Sequence, residues 1–173
     1  SAPDLFSGSD SGSSSDDDNT SVTTPTVSGT AETGSTVNLT SDIDGLVGTA
    51  AADATTGAWS ISTSTLAEGV HALTATATDS VDNISVASAA LAVTIDTTDP
   101  AAPGTPDLDA ASDSGTAADD DNTSDTTPTV SGTAETGSTV TLSSSIDGAV
   151  GTATADATTG AWSISTSVLA EGV

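Results

Sequence analysis

Acidic side chains dominate the polar chemistry of this chain. Its 173 residues include 25 aspartates and glutamates and a single histidine, but neither lysine nor arginine. The net charge of −25 excludes nucleic acid and anionic membranes as electrostatic partners, and salt bridges to lysine or arginine cannot form. The natural partners of such carboxylates are cations. Calcium takes roughly six to eight oxygen ligands from carboxylates, asparagine side chains and backbone carbonyls, so acidic loops predict calcium binding.

The acidic residues recur because the sequence repeats itself. The segment 16–21 returns at 119–124, and Trp59 returns as Trp162, so the repeat length is 119 − 16 = 103 residues. Residues 16–70 differ from residues 119–173 only at positions 22, 38, 40, 42, 46, 51 and 65. Tandem copies of domain size predict a linear array of modules.

The repeat length also sets the domain boundaries. We expect a complete module at residues 1–99 that ends in an acidic joint at 96–99, a proline-containing linker at 100–103, and a second module at 104–173. Val173 aligns with Val70, so the second copy stops before its last two strands. The chain is therefore expected to be an excerpt of a longer protein.

Alternating apolar and polar residues, bounded by turn residues, predict an all-β fold. The seven expected strands of the first module lie at about 3–7, 25–30, 35–41, 46–52, 58–63, 70–78 and 87–95. Seven short strands in about 100 residues indicate an immunoglobulin-like antiparallel β-sandwich, here without a cysteine pair. The core must consist mostly of valine, leucine, isoleucine and alanine, with each tryptophan pointing inward, so the metal-free module is expected to be marginally stable.

An odd number of alternating strands places the two termini of a module at opposite ends. The loops that carry Glu32, Asp53, Asp79 and Asp82 then lie at the N-terminal end, and the joint at 96–99 lies at the other. In an array, the C-terminal end of one module faces the N-terminal end of the next. We therefore predict a calcium site at the joint whose ligands come from both modules: Asp96, Asp99, Glu135 and Asp156. The alternative is that these loop residues only cap turns.

A second calcium site is predicted inside each module, in the long loop between residues 10 and 19. Its candidate ligands in the first copy are Asp10, Asp18 and Asn19, and their equivalents in the second copy are Asp113, Asp121 and Asn122. The alternative is a solvated flexible loop. The segment 42–45 has the start of an EF-hand pattern, but it lacks the later glutamate, so a hairpin turn at Asp44-Gly45 is the better interpretation.

Several motifs together resemble the bacterial Ig-like repeats of giant secreted adhesins, the biofilm-associated and RTX-type surface proteins exported by type I secretion. The motifs are Thr-Thr-Pro-Thr-Val-Ser-Gly-Thr-Ala-Glu-Thr-Gly-Ser-Thr-Val, Ala-Asp-Ala-Thr-Thr-Gly-Ala-Trp-Ser, Leu-Ala-Glu-Gly-Val-His and Asp-Thr-Thr-Asp-Pro. The resemblance covers residues 1–103 and the whole of the second copy. No Gly-Gly-x-Gly-x-Asp nonapeptide of an RTX calcium roll is present.

This resemblance implies a rigid extender module that binds calcium. The residues to which it assigns calcium are Glu32, Asp53, Asp79, Asp96 and Glu135. The chain departs from the family pattern at Asp99, where alanine is more usual, and at 81–83, where Gly-Asn is more usual. Both departures add carboxylates and leave the calcium-binding interpretation intact.

The leading functional prediction is a calcium-stiffened spacer of a bacterial surface adhesin, secreted or at the cell surface. Its partners would be calcium ions and neighbouring repeats of the same chain, with neither nucleic acid nor direct membrane insertion in this segment. The alternatives are a carbohydrate- or ice-binding module, with a Thr-x-Thr row at 74–78, and a subunit of a self-assembling extracellular filament. Catalysis is not expected, because no nucleophile motif surrounds any serine and His71 is interpreted as structural.

Overall fold

The computed structural model describes residues 1–12, 14, 17–114, 117 and 120–171. They form thirteen strands and no helix, grouped in two units, Ser1–Thr98 and Asp99–Val173. Three predicted features fall partly outside the described residues: the loop at 10–19, its second-copy equivalent and the end of the chain at Val173. No helix among the described residues is long and apolar enough to cross a membrane.

The first unit is an Ig-like sandwich of two sheets. Its strands are β1 (Asp4–Leu5), β2 (Asn19–Thr20), β3 (Thr26–Thr30), β4 (Thr36–Ser41), β5 (Gly45–Ala51), β6 (Ala58–Ser62), β7 (Gly69–Thr78) and β8 (Leu91–Ile95). One sheet has the order β1-β3-β6, and the other has the order β2-β8-β7-β4-β5. All neighbours are antiparallel except β2 and β8, which are parallel.

Alternation along the strands builds the core between the sheets. Trp59 and Ile61 point inward from β6, and Leu73 and Val93 point inward from β7 and β8. Gly29 lies opposite Trp59 in the β3–β6 register, and a Cβ at this position would lie 2.6 Å from the indole ring. Glycine is therefore needed at position 29 to accommodate the tryptophan. The prediction that Trp59 and Trp162 belong to the core is confirmed, since each is only 4% exposed.

Two strand predictions differ from the structure. The predicted strand at 87–95 is regular only from Leu91, because the hydroxyls of Ser85 and Ser88 accept hydrogen bonds from the backbone N–H groups of Ala77 and Ala75. These side chains interrupt the regular backbone hydrogen-bond ladder along the C-terminal half of β7. The second difference is β2, which the sequence reading missed and which follows directly on the acidic tract.

The second unit repeats the early part of this architecture. Its strands are β9 (Asp107–Leu108), β10 (Thr129–Thr133), β11 (Thr139–Ser144), β12 (Gly148–Thr154) and β13 (Ala161–Ser165). They form a three-stranded sheet of order β13-β10-β9 and the hairpin β11-β12. Val140, Trp162 and Ile164 form its buried cluster.

The predicted hairpin at Asp44-Gly45 is confirmed. Strands β4 and β5 pair antiparallel up to Ser41 and Gly45. Gly45 has a φ of 74°, a left-handed conformation that glycine adopts without strain.

Candidate functional site

The carboxylate of Asp10 differs in burial and hydrogen bonding from the other described carboxylates of the first unit. Both of its oxygens are buried, and neither has a hydrogen-bond partner among the described residues. The backbone around Asp10 is firmly held. Its N–H donates to the carbonyl of Phe6 at 3.2 Å, and the hydroxyl of Ser9 accepts from the N–H of Thr26 at 3.0 Å. The buried position of the carboxylate is therefore fixed by its neighbours.

Asp18 and Asn19 close the same loop from the other side. The carbonyl of Asp18 accepts the N–H of Thr94 at 2.9 Å, and Asn19 pairs with Thr94 in the β2–β8 ladder. Asp18 has a φ of 56°, a left-handed conformation that aspartate tolerates better than most residues. These contacts anchor the end of the loop on the larger sheet.

Hydrogen bonds tie the two sides of the loop together. The hydroxyl of Ser11 accepts the N–H of Ser21 at 2.7 Å and lies 3.2 Å from the hydroxyl of Thr20. Thr20 also donates its hydroxyl to the carbonyl of Ser9. Residues 9–11 therefore run beside residues 20–21, so Asp10 lies near the strand that Asn19 begins.

The second unit contains the same loop framework. Ser114 accepts the N–H of Ser124 at 2.7 Å, and Ser112 accepts the N–H of Thr129 at 2.9 Å. Asp121 has a φ of 56°, as Asp18 has. Asp113 and Asn122 occupy the positions of Asp10 and Asn19, with the Asp113 N–H bonded to the Asp109 carbonyl at 3.1 Å. The intra-module loop is thus a repeated structural feature.

The donor atoms at this loop suit a hard cation such as calcium. A buried carboxylate with two unpaired oxygens is stabilised by a nearby positive group, and the chain contains no lysine or arginine. Within the described residues, no three or more histidine, cysteine, aspartate or glutamate side chains form a metal-binding group by themselves. Calcium at this loop would therefore take its other ligands from asparagine, backbone carbonyls and water.

Asp53 has a different environment in the β5–β6 turn. Its Oδ1 accepts the N–H of Thr55 at 3.0 Å, and the N–H and hydroxyl of Thr56 at 2.7 and 2.8 Å. The Thr56 N–H, then the Thr56 hydroxyl and the Thr55 N–H, hold the pKa of Asp53 below its usual value. In the second unit, Thr159 and Thr158 lower the pKa of Asp156 in the same way.

Asp79 also organises its own turn. Its Oδ1 accepts the N–H groups of Val81 and Asn83, each at 2.9 Å, and its Oδ2 accepts the Asn83 side-chain amide at 2.8 Å. The Asn83 amide contributes most to lowering the pKa of Asp79, followed by the N–H groups of Asn83 and Val81. Asp82 has a φ of 67° in this turn.

Glu32, Asp79 and Asn83 line one cavity of about 190 Å³. The Asp53 turn adjoins the loop of Glu32, because the N–H of Ala31 donates to the carbonyl of Gly57 at 2.9 Å. The structure therefore brings Glu32, Asp53 and Asp79 to one end of the first unit. This end is where strand parity predicts them.

The residues of the predicted joint are distributed over both units. Asp96 Oδ1 accepts the N–H of Thr98 at 3.0 Å within the first unit. In the second unit, Glu135 Oε2 accepts the N–H of Ala101 at 3.0 Å, and Asp99 is exposed. A calcium site shared by Asp96, Asp99, Glu135 and Asp156 stays a prediction.

Glu68 is a contact residue that the sequence reading missed as a candidate. Its carboxylate accepts the hydroxyl of Thr97 at 2.6 Å and the hydroxyl of Thr98 at 3.1 Å. The Thr97 hydroxyl, followed by the Thr97 N–H, contributes most to lowering the pKa of Glu68. A signal was present in the sequence, since glutamate occurs only at positions 32, 68, 135 and 171.

The single histidine forms a buried polar cluster. His71 Nδ1 lies 2.8 Å from the hydroxyl of Ser41 and 3.5 Å from Asp44 Oδ2, and Nε2 lies 2.8 Å from the carbonyl of Ala67. A carbonyl only accepts, so Nε2 carries a proton. His71 is 0% exposed and Ser41 is 2% exposed. Both ring nitrogens are engaged, so the cluster connects β4, β7 and the turn before β7.

The outer face of the larger sheet is rich in threonine. The β4–β7 register places Thr36 beside Thr78, and Thr40 beside Thr74. Thr49 of β5 extends this surface and donates its hydroxyl to the Asn38 side chain at 2.8 Å. The predicted row at 74–78 is therefore one column of a wider, uncharged hydroxyl surface.

The fold and its tandem repetition define a class of Ig-like β-sandwich modules. The family described as "Bacterial Ig-like domain" matches residues 1–97 and again residues 100–173. The chain belongs to the bacterial Ig-like domain family. The predicted all-β Ig-like fold and the predicted membership of a bacterial Ig-like family are thus confirmed.

One solved structure similar to this chain is described as a biofilm associated protein, BSP domain. The two are 22% identical with a TM-score of 0.36, and the match covers 88% of this chain and 24% of the other. The chain thus spans about a quarter of that protein's length in the structure. A comparison with curated proteins finds no match.

Proposed function

We propose that this chain is a calcium-stabilised extender of a long bacterial surface adhesin of the biofilm-associated or RTX type. Its repeats would hold a binding tip away from the cell and so mediate adhesion and biofilm formation. Tandem Ig-like modules of 103 residues suit this spacer role, because a linear array gains length with each repeat. The proposal assigns the chain to the cell surface or the extracellular space and gives no residue a catalytic role.

The observation that carries the calcium proposal is the carboxylate of Asp10. A buried charge without a partner is costly, and a bound cation removes that cost while it adds ligand bonds. Asp18 and Asn19 would supply further oxygen atoms from the other side of the loop, directly before Thr20 and Ser21, which contact Ser11. Asp113, Asp121 and Asn122 form the equivalent proposed site in the second unit.

A second proposed class of site lies at the joints between repeats. Asp96, Asp99, Glu135 and Asp156 would bind calcium at the joint within this chain. Glu32, Asp53, Asp79 and Asp82 would serve the joint to a preceding repeat. The described hydrogen bonds of Asp53 and Asp156 use only Oδ1, so Oδ2 remains for a metal ion.

Isothermal titration of the chain with calcium tests this proposal. We expect binding in the wild type and one fewer site in Asp10→Asn, while the matched turn variant Thr55→Ala retains all sites at the loop. Small-angle X-ray scattering of the same samples should show an extended particle whose length increases or becomes better defined with calcium. A wild-type chain without calcium-binding heat would contradict the proposal.

The threonine surface favours a second candidate function, binding of an ordered uncharged surface such as ice. The hydroxyl and methyl groups of Thr36, Thr74 and Thr78 lie on one face of the sheet, where they recur both along a strand and across neighbouring strands. An ice-affinity assay tests this candidate. Thr76→Lys, at the centre of the face, should abolish partition into ice, whereas Ser60→Lys on the other sheet should have no effect.

A further inference from the structure

Glutamate has a restricted distribution in this chain. Of the 25 acidic residues, four are glutamate and 25 − 4 = 21 are aspartate. The four glutamates occupy only two positions of the repeat, since 32 + 103 = 135 and 68 + 103 = 171. Each repeat therefore uses the longer acidic side chain at two places. The contacts of Glu68 and Glu135 indicate a structural reason.

Glu68 holds the backbone that leaves the first unit. Its two oxygens lie 3.3 and 3.1 Å from the N–H of Thr97, and they also accept the hydroxyls of Thr97 and Thr98. Hydrogen bonds to a charged carboxylate are stronger than those between neutral groups. Asp96 adds a bond to the N–H of Thr98. The backbone is thus held up to residue 98.

The turn that carries Glu68 is itself braced. The N–H of Ala67 donates to Asp44 Oδ2 at 3.1 Å, and the carbonyl of Ala67 accepts from His71 Nε2. The buried histidine cluster therefore fixes the residue directly before Glu68. Glu68 therefore extends toward residues 97 and 98 from a turn that hydrogen bonds hold in place.

Glu135 holds the backbone that enters the second unit. Its Oε2 accepts the N–H of Ala101 at 3.0 Å, and its own carbonyl accepts the N–H and hydroxyl of Ser138 at 3.1 and 2.7 Å. Farther along, the N–H of Gly104 donates to the carbonyl of Thr133 at 2.8 Å. The entering backbone is therefore held from residue 101 onward.

Only Asp99 and Pro100 lie between these two sets of contacts. The proline ring fixes φ of Pro100 near −65°, to within about 15°. A residue before proline is restricted to extended conformations, so Asp99 also has few accessible states. Once both glutamates are engaged, the backbone rotations left between the two sets of contacts are ψ of Thr98, φ and ψ of Asp99, and ψ of Pro100, and Asp99 is confined to extended values.

We propose that Glu68 and Glu135 are positioning residues that clamp the two ends of the linker and stiffen the joint without a metal ion. This inference rests on the proposed extender function and gives that function a second, calcium-independent basis. Glutamate is required because aspartate is one methylene shorter and does not reach the same N–H groups. In an array, Glu171 and Glu32 would hold the linkers that follow and precede this pair of units.

A distance measurement between spin labels tests the clamp. The chain has no cysteine, so Ser60→Cys and Ser163→Cys place one label at equivalent exposed positions of the two units. In chelator, the wild-type background should give a narrow distance distribution. Glu68→Met and Glu135→Met, which keep side-chain length but remove the acceptors, should broaden it, and the double variant should broaden it most.

Matched variants separate loss of the clamp from loss of charge. Glu68→Asp keeps the charge but loses reach, so it should broaden the distribution as Glu68→Met does. Asp4→Asn removes an exposed charge from β1 and should leave the width unchanged. Equal widths in the wild type and both methionine variants would overturn the clamp.

Amide hydrogen exchange in the wild type provides a second readout that needs no clamp variant. The N–H groups of Thr97 and Ala101 should exchange more slowly than that of Asp99, because each donates to a glutamate. Equal exchange at all three positions would also overturn the proposal. A chain that lacks calcium-binding heat but keeps a narrow distribution in chelator would contradict the calcium proposal while it supports the clamp.

Discussion

Asp10 and Asp53 are the same residue type in loops of one unit, yet their carboxylates have opposite surroundings. Asp53 is exposed, and its Oδ1 accepts three hydrogen bonds from Thr55 and Thr56. Asp10 has two buried oxygens and no partner among the described residues. The carboxylate of Asp53 is satisfied within its own turn, whereas the carboxylate of Asp10 is not.

This difference shows that the number of acidic residues does not identify a cation site. Asp53, Asp79 and Asp156 satisfy N–H and hydroxyl groups of their own turns, so they contribute to local folding without calcium. Asp10 makes no such contribution within the described structure. Hydrogen bonding therefore separates the carboxylates that complete their own turns from Asp10, which has no partner in the described structure.

The largest effect should come from Asp10→Asn. The substitution replaces a buried unpaired charge with a neutral amide, which costs less to bury, so the metal-free chain should gain about 1–3 kcal/mol of unfolding free energy. The same variant should lose most of the calcium-dependent stabilisation of the first unit. Chemical denaturation in chelator and in calcium measures both effects. A metal-free Asp10→Asn chain less stable than the wild type would show that Asp10 has a partner after all.

Asp53→Asn should have the opposite effects on the stability of the metal-free chain and on its stabilisation by calcium. Asparagine retains an acceptor oxygen but loses the charge, so the turn bonds weaken and the metal-free melting temperature should fall. The increase in melting temperature caused by calcium at the Asp10 loop should stay as large as in the wild type. Loss of that increase would mean that the two loops form one coupled site.

Acidification should reduce the difference between wild type and Asp53→Asn. The folded-state pKa of Asp53 is lowered from 3.8 by the bonds from Thr56 and Thr55, so its contribution to stability is fully present above pH 3.8. That contribution is lost as the pH falls through the lower folded-state value. Melting temperatures of both proteins in chelator, from neutral to strongly acidic pH, should therefore converge. A constant difference would assign the effect of the substitution to shape rather than charge.

The smallest effect should come from Thr56→Val. This change removes the hydroxyl donor and keeps the backbone N–H that contributes most to the lowered pKa of Asp53. The pKa of Asp53, measured by NMR titration, should rise part of the way to its ordinary value. Thr159→Val is the matched variant for Asp156 in the second unit. No movement of either pKa would mean that the backbone donors alone determine it.

The sequence was sufficient to predict the main fold. Alternating apolar residues located seven strands, and the Asp44-Gly45 turn located a hairpin, because side-chain period and turn chemistry are local properties. The strand β2 was missed, since Asn19 and Thr20 have no alternation and pair only through a long-range contact with β8. The early part of the predicted strand at 87–95 is irregular because the hydroxyls of Ser85 and Ser88 accept the N–H groups of Ala77 and Ala75, and these contacts also depend on tertiary register.

The candidate site was only partly predictable. Strand parity grouped Glu32 and Asp79 at one end, where they line one cavity. The sequence could not reveal which carboxylates are satisfied by their own turns, because both Asp10 and Asp53 are followed within a few residues by glycine and by hydroxyl side chains, which are serine after Asp10 and threonine after Asp53. The role of Glu68 depends on Thr97, which is 29 residues away in the chain. A contact over this separation in the chain can be recognised only once the arrangement of the strands is known.

Thermal unfolding of the wild-type chain, in calcium and then in chelator, tests calcium stabilisation most directly. With calcium at about a hundredfold excess over Kd, binding to the folded form alone should add about 2.7 kcal/mol. For a domain of this size, the melting temperature should then rise by about 10–20 °C. Identical melting temperatures in calcium and chelator would contradict calcium stabilisation and leave the acidic loops as a solvated surface.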